Sequence, residues 1–209
     1  MSVFLQSFFR SQCVHCHLNP IQSSIKLCND CLLNQHWYFR RCYHSDLLSG
    51  TWVLGGYSSA LGSLIRRGKY RPDRHIFQEL GREMAEASLD LPLFDAIVHV
   101  PVPWHRRIKR GFDQSEILAS QMAKMLDVPR YNALRRHGFI EQASRTKEER
   151  LQRILGRFSM RDIELPETIL LVDDTITTGA TLEACASELL QSGVKEVFAV
   201  AVSSIQINP

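Results

Sequence analysis

No stretch of the 209-residue chain stays apolar for the roughly 20 positions that a membrane-spanning helix needs, and its longest buried-looking runs are of strand length. The first residues, MSVFLQSFFRSQ, have too short an apolar part and no basic leader for a signal peptide, so the expected location is cytoplasmic. Gly-Lys-Thr does not occur, which excludes a Walker loop with its phosphate-reaching lysine. Cysteine is almost missing from the carboxyl-terminal four-fifths: five of the six lie before residue 43, and only Cys185 follows. Acidic residues are scarce in the middle third. Net charge is +2 for residues 1–103, +7 for 104–157 and −6 for 158–209, so a basic block separates two nearly balanced or acidic parts. Such a block fits a polyanionic ligand, diphosphate or nucleic acid, better than a solvated surface laced with local ion pairs.

What is present is most concentrated in residues 168–181, TILLVDDTITTGAT. Ile169 to Val172 form a continuous apolar run, as expected of a parallel strand covered on both faces. Asp173 and Asp174 fall at its carboxyl end, where open α/β sheets bind ligands. Thr175, Thr177, Thr178, Gly179, Ala180 and Thr181 follow, and a helical pattern begins near Thr181. Hydroxyls, backbone N–H groups and the positive end of a helix dipole then converge on one turn, a layout for a sugar phosphate. The plainer alternative is an ordinary Thr-Gly turn beside a solvated capping pair.

The amino-terminal cysteines have the spacing Cys13-x2-Cys16-x11-Cys28-x2-Cys31. Two CxxC turns can close a tetrahedral S4 shell, which points to structural zinc. A disulfide framework does not suit a cytoplasmic chain, and a metal would supply folding energy that so short a segment cannot draw from its own core. His15, His17 and His36 are alternative ligands, while Cys42 and His44 read as packing or a spare ligand. Cys185 reads as a small buried apolar residue. These features divide the chain into a knuckle, residues 1–48, and an α/β domain of residues 49–209.

Between these segments, TWVLGGYSS reads as a strand with a Gly-Gly bend. ALGSLIRRGKYRPD reads as a helix stopped near Gly68. Ile76, Leu80, Met84 and Ala87 mark an amphipathic helix over 75–89. DAIVHV is the next buried strand; Pro101 and Pro103 end it in an extended loop, and Gly111 turns the chain into a helix from Asp113 to Met125. That loop carries Trp104, His105, Arg106, Arg107, Lys109 and Arg110, a second place to expect phosphate. Trp104, Phe112 and Tyr131 are aromatic neighbours of these cations, either stacking platforms or core.

The VDDTITTGAT segment resembles the signature with which type I phosphoribosyltransferases bind phosphoribosyl diphosphate (PRPP). PVPWHRRIKRGFDQ, the CxxC pairs, Lys69-Tyr70-Arg71 and the segment from Gln142 to Phe158 resemble the ComF family in order and spacing, over almost the whole chain. ComF-like proteins join a zinc knuckle to a phosphoribosyltransferase-like domain and are linked to natural competence and DNA uptake. The resemblance implies an α/β fold of the type I phosphoribosyltransferase kind, with a central, mainly parallel sheet flanked by helices. It also implies Mg²⁺ bound together with PRPP, Asp173 and Asp174 on the ribose hydroxyls, and Thr177 to Thr181 around the 5-phosphate. Arg106 and Arg107 would face the diphosphate, and a mobile loop within about 136–153 would close over it. Two roles follow: phosphoribosyl transfer to an acceptor, selected near Ser203 and Ser204, or non-catalytic binding of PRPP and single-stranded DNA beside a competence helicase. The chain departs from the family at Asp113, where Asn is usual, at Ser45, which breaks a further CxxC after Cys42, and at Lys147, Arg153 and Ile154.

Overall fold

The computed structural model describes residues 11–138 and 156–207. In chain order its elements are α1 (Asn29–Leu33), β1 (Arg40–Arg41), β2 (Gly50–Gly56), α2 (Ala60–Tyr70), α3 (Arg74–Ala87) and β3 (Ala96–His99). Then come α4 (Trp104–Arg110), α5 (Gln114–Leu126), β4 (Arg130–Tyr131), β5 (Leu134–Arg136) and β6 (Phe158–Met160). The chain continues through β7 (Thr168–Ile176), the helix we label α6 (Ala180–Gln191) and β8 (Glu196–Ser204).

Six strands form one sheet in the order β1-β2-β8-β7-β3-β4. Every pairing in it is parallel except β1 with β2, so the fold is α/β with a mainly parallel sheet, as the sequence implied. β7 lies centrally between β3 and β8, which explains its unbroken apolar run: Ile169, Leu170, Leu171 and Val172 are fully buried. Because successive strand residues point to opposite faces, Leu170 and Val172 join a core with α2, α3 and α5, while Ile169 and Leu171 join one with α6 and the antiparallel β5–β6 pair. Asp173 and Asp174 continue β7 within its ladder rather than in the turn after it, and Asp173 pairs in register with Ala201.

Three of the helices start where short polar side chains cap them. Ser59 accepts the Leu61 N–H at the start of α2, Asp73 the His75 N–H at α3, and Asp113 those of Ser115 and Glu116 at α5. Two sequence expectations are corrected. Gly68 does not end α2, which runs on to Tyr70. It sits where the helix meets α3, and a Cβ there would lie 2.7 Å from the Phe77 ring. Nor is PVPWHRRIKR an extended loop, because residues 104–110 wind into α4 immediately after Pro103. Proline at a helix start loses no intrahelical hydrogen bond, and Gly111, at φ 77°, ends the helix in the left-handed conformation.

The cysteine-bearing segment packs on the α2–α3 side: Cys13, Ile25, Leu27 and Cys28 are buried in the same core as Leu61 and Leu64. Among the described residues, no helix is long and apolar enough to cross a membrane.

Candidate functional site

The carboxyl ends of β3 and β7 open into a cleft of about 370 Å³. Asp173, Asp174, Thr175, Thr177 and Thr181 line it from β7 and the turn into α6, Pro101 to Pro103 and Arg106 from the other side, Lys69 from α2 and Arg136 from β5. Tyr57, Gln114 and Ile205 complete the wall. Anionic and cationic groups thus face one another across a space large enough for a sugar phosphate.

The two acids are held differently. Asp174 is almost fully buried, and its Oδ2 is ion-paired to Lys69 Nζ and accepts the Thr175 hydroxyl at 3.1 Å. Its Oδ1 accepts the Gln114 amide at 3.3 Å. Burial alone would raise its pKa, but the Lys69 charge and these hydrogen bonds more than offset it and hold the carboxyl below its ordinary value. Asp173 accepts the Ser115 hydroxyl at 2.9 Å and the Asp174 N–H at 2.8 Å, both on Oδ1. Burial first, and the Asp174 charge second, push its pKa up to about 7. Oδ2 of Asp173 has no hydrogen-bond partner among the described residues, so the cleft presents one open acceptor beside a charged, fully engaged neighbour.

The turn from Thr177 to Thr181 is shaped from within and without. Gly179 has φ 83° and precedes the first turn of α6 with no side-chain cap, while the Thr178 hydroxyl accepts the Ala180 N–H at 3.4 Å. A Cβ at Gly179 would collide with Cζ of the Tyr43 ring. The Tyr43 hydroxyl donates to Glu183 Oε1 at 2.7 Å, and burial followed by Glu183 raises its pKa to about 12. Gln206 ties down the other end, donating to the Thr177 carbonyl at 3.0 Å.

Of the residues singled out in the sequence, the cleft gathers Asp173, Asp174, Thr175, Thr177, Thr181 and Arg106. Thr178, Gly179 and Ala180 form the turn behind that wall. Arg107 points elsewhere: it pairs with Glu116 at 3.0 Å and borders a separate groove with Arg74 and Gln78. Ser203 and Ser204 are fully buried, Ser203 donating to the Thr175 hydroxyl at 3.5 Å, and the residue after them, Ile205, reaches the cleft. Phe112 is core, edge-on to Phe77, whereas Trp104 is 65% exposed. Tyr131 packs on the second core. Asp113, where the resemblance implies Asn, accepts three N–H groups, those of Val102, Ser115 and Glu116, a task suited to an acceptor-only side chain. The loop expected within 136–153, and Lys147, Arg153 and Ile154 with it, lies almost wholly outside the described residues.

Sequence reasoning assigned no role to Lys69, Gln114, Ser115, Arg136, Tyr43 or Tyr57. A partial signal existed for two of them, since Gln114 and Ser115 open a helix directly after a capping aspartate and are thereby aimed at the strand ends.

Apart from the cleft, the four cysteines Cys13, Cys16, Cys28 and Cys31 converge so that their sulfurs all lie within 4.8 Å of one another. Backbone N–H groups of Asn19 and Leu18 lower the Cys16 pKa to about 6. Four thiols in this arrangement fit a closed tetrahedral metal shell. Cys42 is not part of it: its thiol faces the Thr51 carbonyl at 3.8 Å, and burial raises its pKa to about 11. Cys185 is fully buried, as expected.

No protein-family model matches the chain. It is similar to Competence protein F of Haemophilus influenzae, with 28% identity over 222 residues that cover 92% of this chain and 96% of that protein. It is also similar to Competence protein ComFC of Bacillus subtilis, at 29% identity with 85% and 73% covered, and to DNA utilization protein YhgH of Escherichia coli K12, at 29% with 69% and 67% covered. Among solved structures it matches glutamine PRPP amidotransferase from B. subtilis with a TM-score of 0.44 and 20% identity, over 59% of this chain and 25% of that one. It matches adenine phosphoribosyl transferase from Trypanosoma brucei with a TM-score of 0.41 and 11% identity, over 85% and 81%.

Proposed function

Taking as premise that the chain is a homologue of Competence protein F, ComFC and YhgH, we propose that it binds PRPP in the cleft and transfers the phosphoribosyl group to an acceptor in the service of DNA uptake. The observation that carries this reading is the set of groups that converge on one cleft: the hydroxyls of Thr175, Thr177 and Thr181, the carboxylates of Asp173 and Asp174, and the cations Arg106, Arg136 and Lys69. That set suits a 5-phosphate, a ribose with two free hydroxyls, and a diphosphate.

In the transfer, the bond between ribose C1 and the diphosphate oxygen breaks with its electron pair leaving on diphosphate. The acceptor's lone pair forms the new bond to C1, and the acceptor then loses a proton. Positive charge develops on the sugar and negative charge on the leaving group, so positioning and fixed charge are what the protein contributes. Asp173 Oδ2 accepts a ribose hydroxyl. Lys69 stands within reach of both Asp174 and the anion, and Arg106 and Arg136 neutralise the diphosphate. Mg²⁺ bound together with PRPP would add charge neutralisation at the leaving group. The four-cysteine cluster holds structural zinc.

Replacing both acids, Asp173→Asn with Asp174→Asn, should cut diphosphate release from PRPP by about 100-fold or more while zinc content stays unchanged. A wild-type protein that binds PRPP yet releases no diphosphate with any nucleobase, amine or DNA acceptor would leave the second reading, a non-catalytic PRPP- and single-stranded-DNA-binding factor. Exposed Trp104, which borders a small pocket with Arg136 and Arg157, favours that reading, because an aromatic ring among cations is a stacking surface for unpaired bases.

A further inference from the structure

We propose that Tyr43 is a positioning residue for the phosphate end of the cleft, acting on the Thr177–Thr181 turn from its outer side. The proposal rests on the reading of the cleft as a PRPP site and adds to it a residue that does not line the cleft. Tyr43 follows β1, where the Cys42 N–H is tied to the Thr51 carbonyl at 3.0 Å, so its backbone is anchored to β2 rather than to the turn it touches. Its ring fills the space that a side chain at position 179 would need. Its hydroxyl reaches Glu183 in the first turn of α6 at 2.7 Å.

Two effects follow from this geometry. The left-handed residue at 179 is the pivot of the turn, and a rigid ring against it restricts the alternative backbone states of a glycine, which are its main source of conformational freedom. Order present before binding does not have to be imposed by the ligand. The hydroxyl meanwhile holds the Glu183 carboxylate in a fixed contact at the helix end that an anion would approach, where an unrestrained negative charge competes with phosphate for the same N–H groups. Both effects act on the 5-phosphate and neither on the diphosphate, whose cations come from α2, α4 and β5.

The test is calorimetric titration of the full chain with ribose 5-phosphate and, separately, with diphosphate. Tyr43→Ala should weaken ribose 5-phosphate binding by about tenfold, with diphosphate affinity within about twofold of wild type. Tyr43→Phe, which restores the ring and lacks the hydroxyl, should recover most of the loss and remain about threefold weak. Because Tyr43 also packs on the second core, Tyr43→Leu provides a variant that keeps apolar volume there, and it should behave like Tyr43→Ala. Unchanged ribose 5-phosphate affinity in the alanine and leucine variants would overturn the proposal. So would an equal loss for both ligands, which marks general damage to the fold. If wild-type protein binds neither ligand, the reading of the cleft itself fails, an outcome separate from the other two.

Discussion

Asp173 and Asp174 are neighbours in sequence, yet their surroundings drive their acidities apart. Lys69 supplies the compensating charge to Asp174 alone, and Asp173 is left to bear burial plus its neighbour's negative charge. With its folded-state value raised from 3.8 to about 7, Asp173 keeps a proton in the native chain over a range where the unfolded chain has lost it. The linked stability is therefore fully present below pH 4 and drains away as pH rises toward 7. Asp173→Asn removes the titration and keeps an oxygen for Ser115 and the Asp174 N–H. Urea unfolding at several pH values should show this variant more stable than wild type at pH 8 by up to about 4 kcal/mol, with the difference vanishing near pH 4. Parallel pH profiles for the two proteins would contradict the assignment. The carboxylates themselves were legible in the sequence because strand, acids and turn are contiguous. Their partners were not: Ser115 lies 58 positions from Asp173, and Tyr43 lies 140 from Glu183. No local pattern encodes contacts that only the sheet order creates.

At the level of single elements, β7, α3 and α5 follow directly from apolar periodicity and caps, whereas the two misread segments have a common cause. Gly68 and Pro103 are residues that usually end or bend a helix, and each sits where the fold accommodates it. Gly68 gives up helix propensity to let α2 approach Phe77 of α3. Gly68→Ala tests which effect wins. The gain in propensity is about 1 kcal/mol, whereas pushing a methyl group into a fully buried ring costs about 1–3 kcal/mol. The expected result is a net loss of about 1 kcal/mol, read as a lower urea midpoint with an unchanged slope. Stabilisation instead would mean that Phe77 moves aside freely.

On the scale of the whole molecule, the cysteine cluster and the cleft lie against the same helix. Ser63 of α2 lies 3.1 Å from His15 of the cysteine segment, while Lys69, two turns along, faces the acids. Cys13 and Cys28 are themselves core residues, in one cluster with Leu61 and Leu64, so the four-cysteine cluster and the hydrophobic core are one structure. Chelation of the metal should lower stability by about 3 kcal/mol, or roughly 6–12 °C in a calorimetric scan, and purified protein should carry zinc in a one-to-one ratio that Cys13→Ser with Cys28→Ser abolishes. A chain that loses its metal without any change in melting temperature would show the cluster to be dispensable for the fold.

The sheet ends on both sides in strands of two residues, β1 and β4. Their sequences are Arg-Arg and Arg-Tyr, so each flank offers a stranger's strand few free backbone groups and at least one guanidinium. The four inner strands, β2, β8, β7 and β3, are mutually parallel and would otherwise template self-association through their rims. These edge arginines thus also act as guards against fibrous stacking, and apolar replacements at Arg40, Arg41 and Arg130 would be felt first in how concentrated the protein can become before it precipitates.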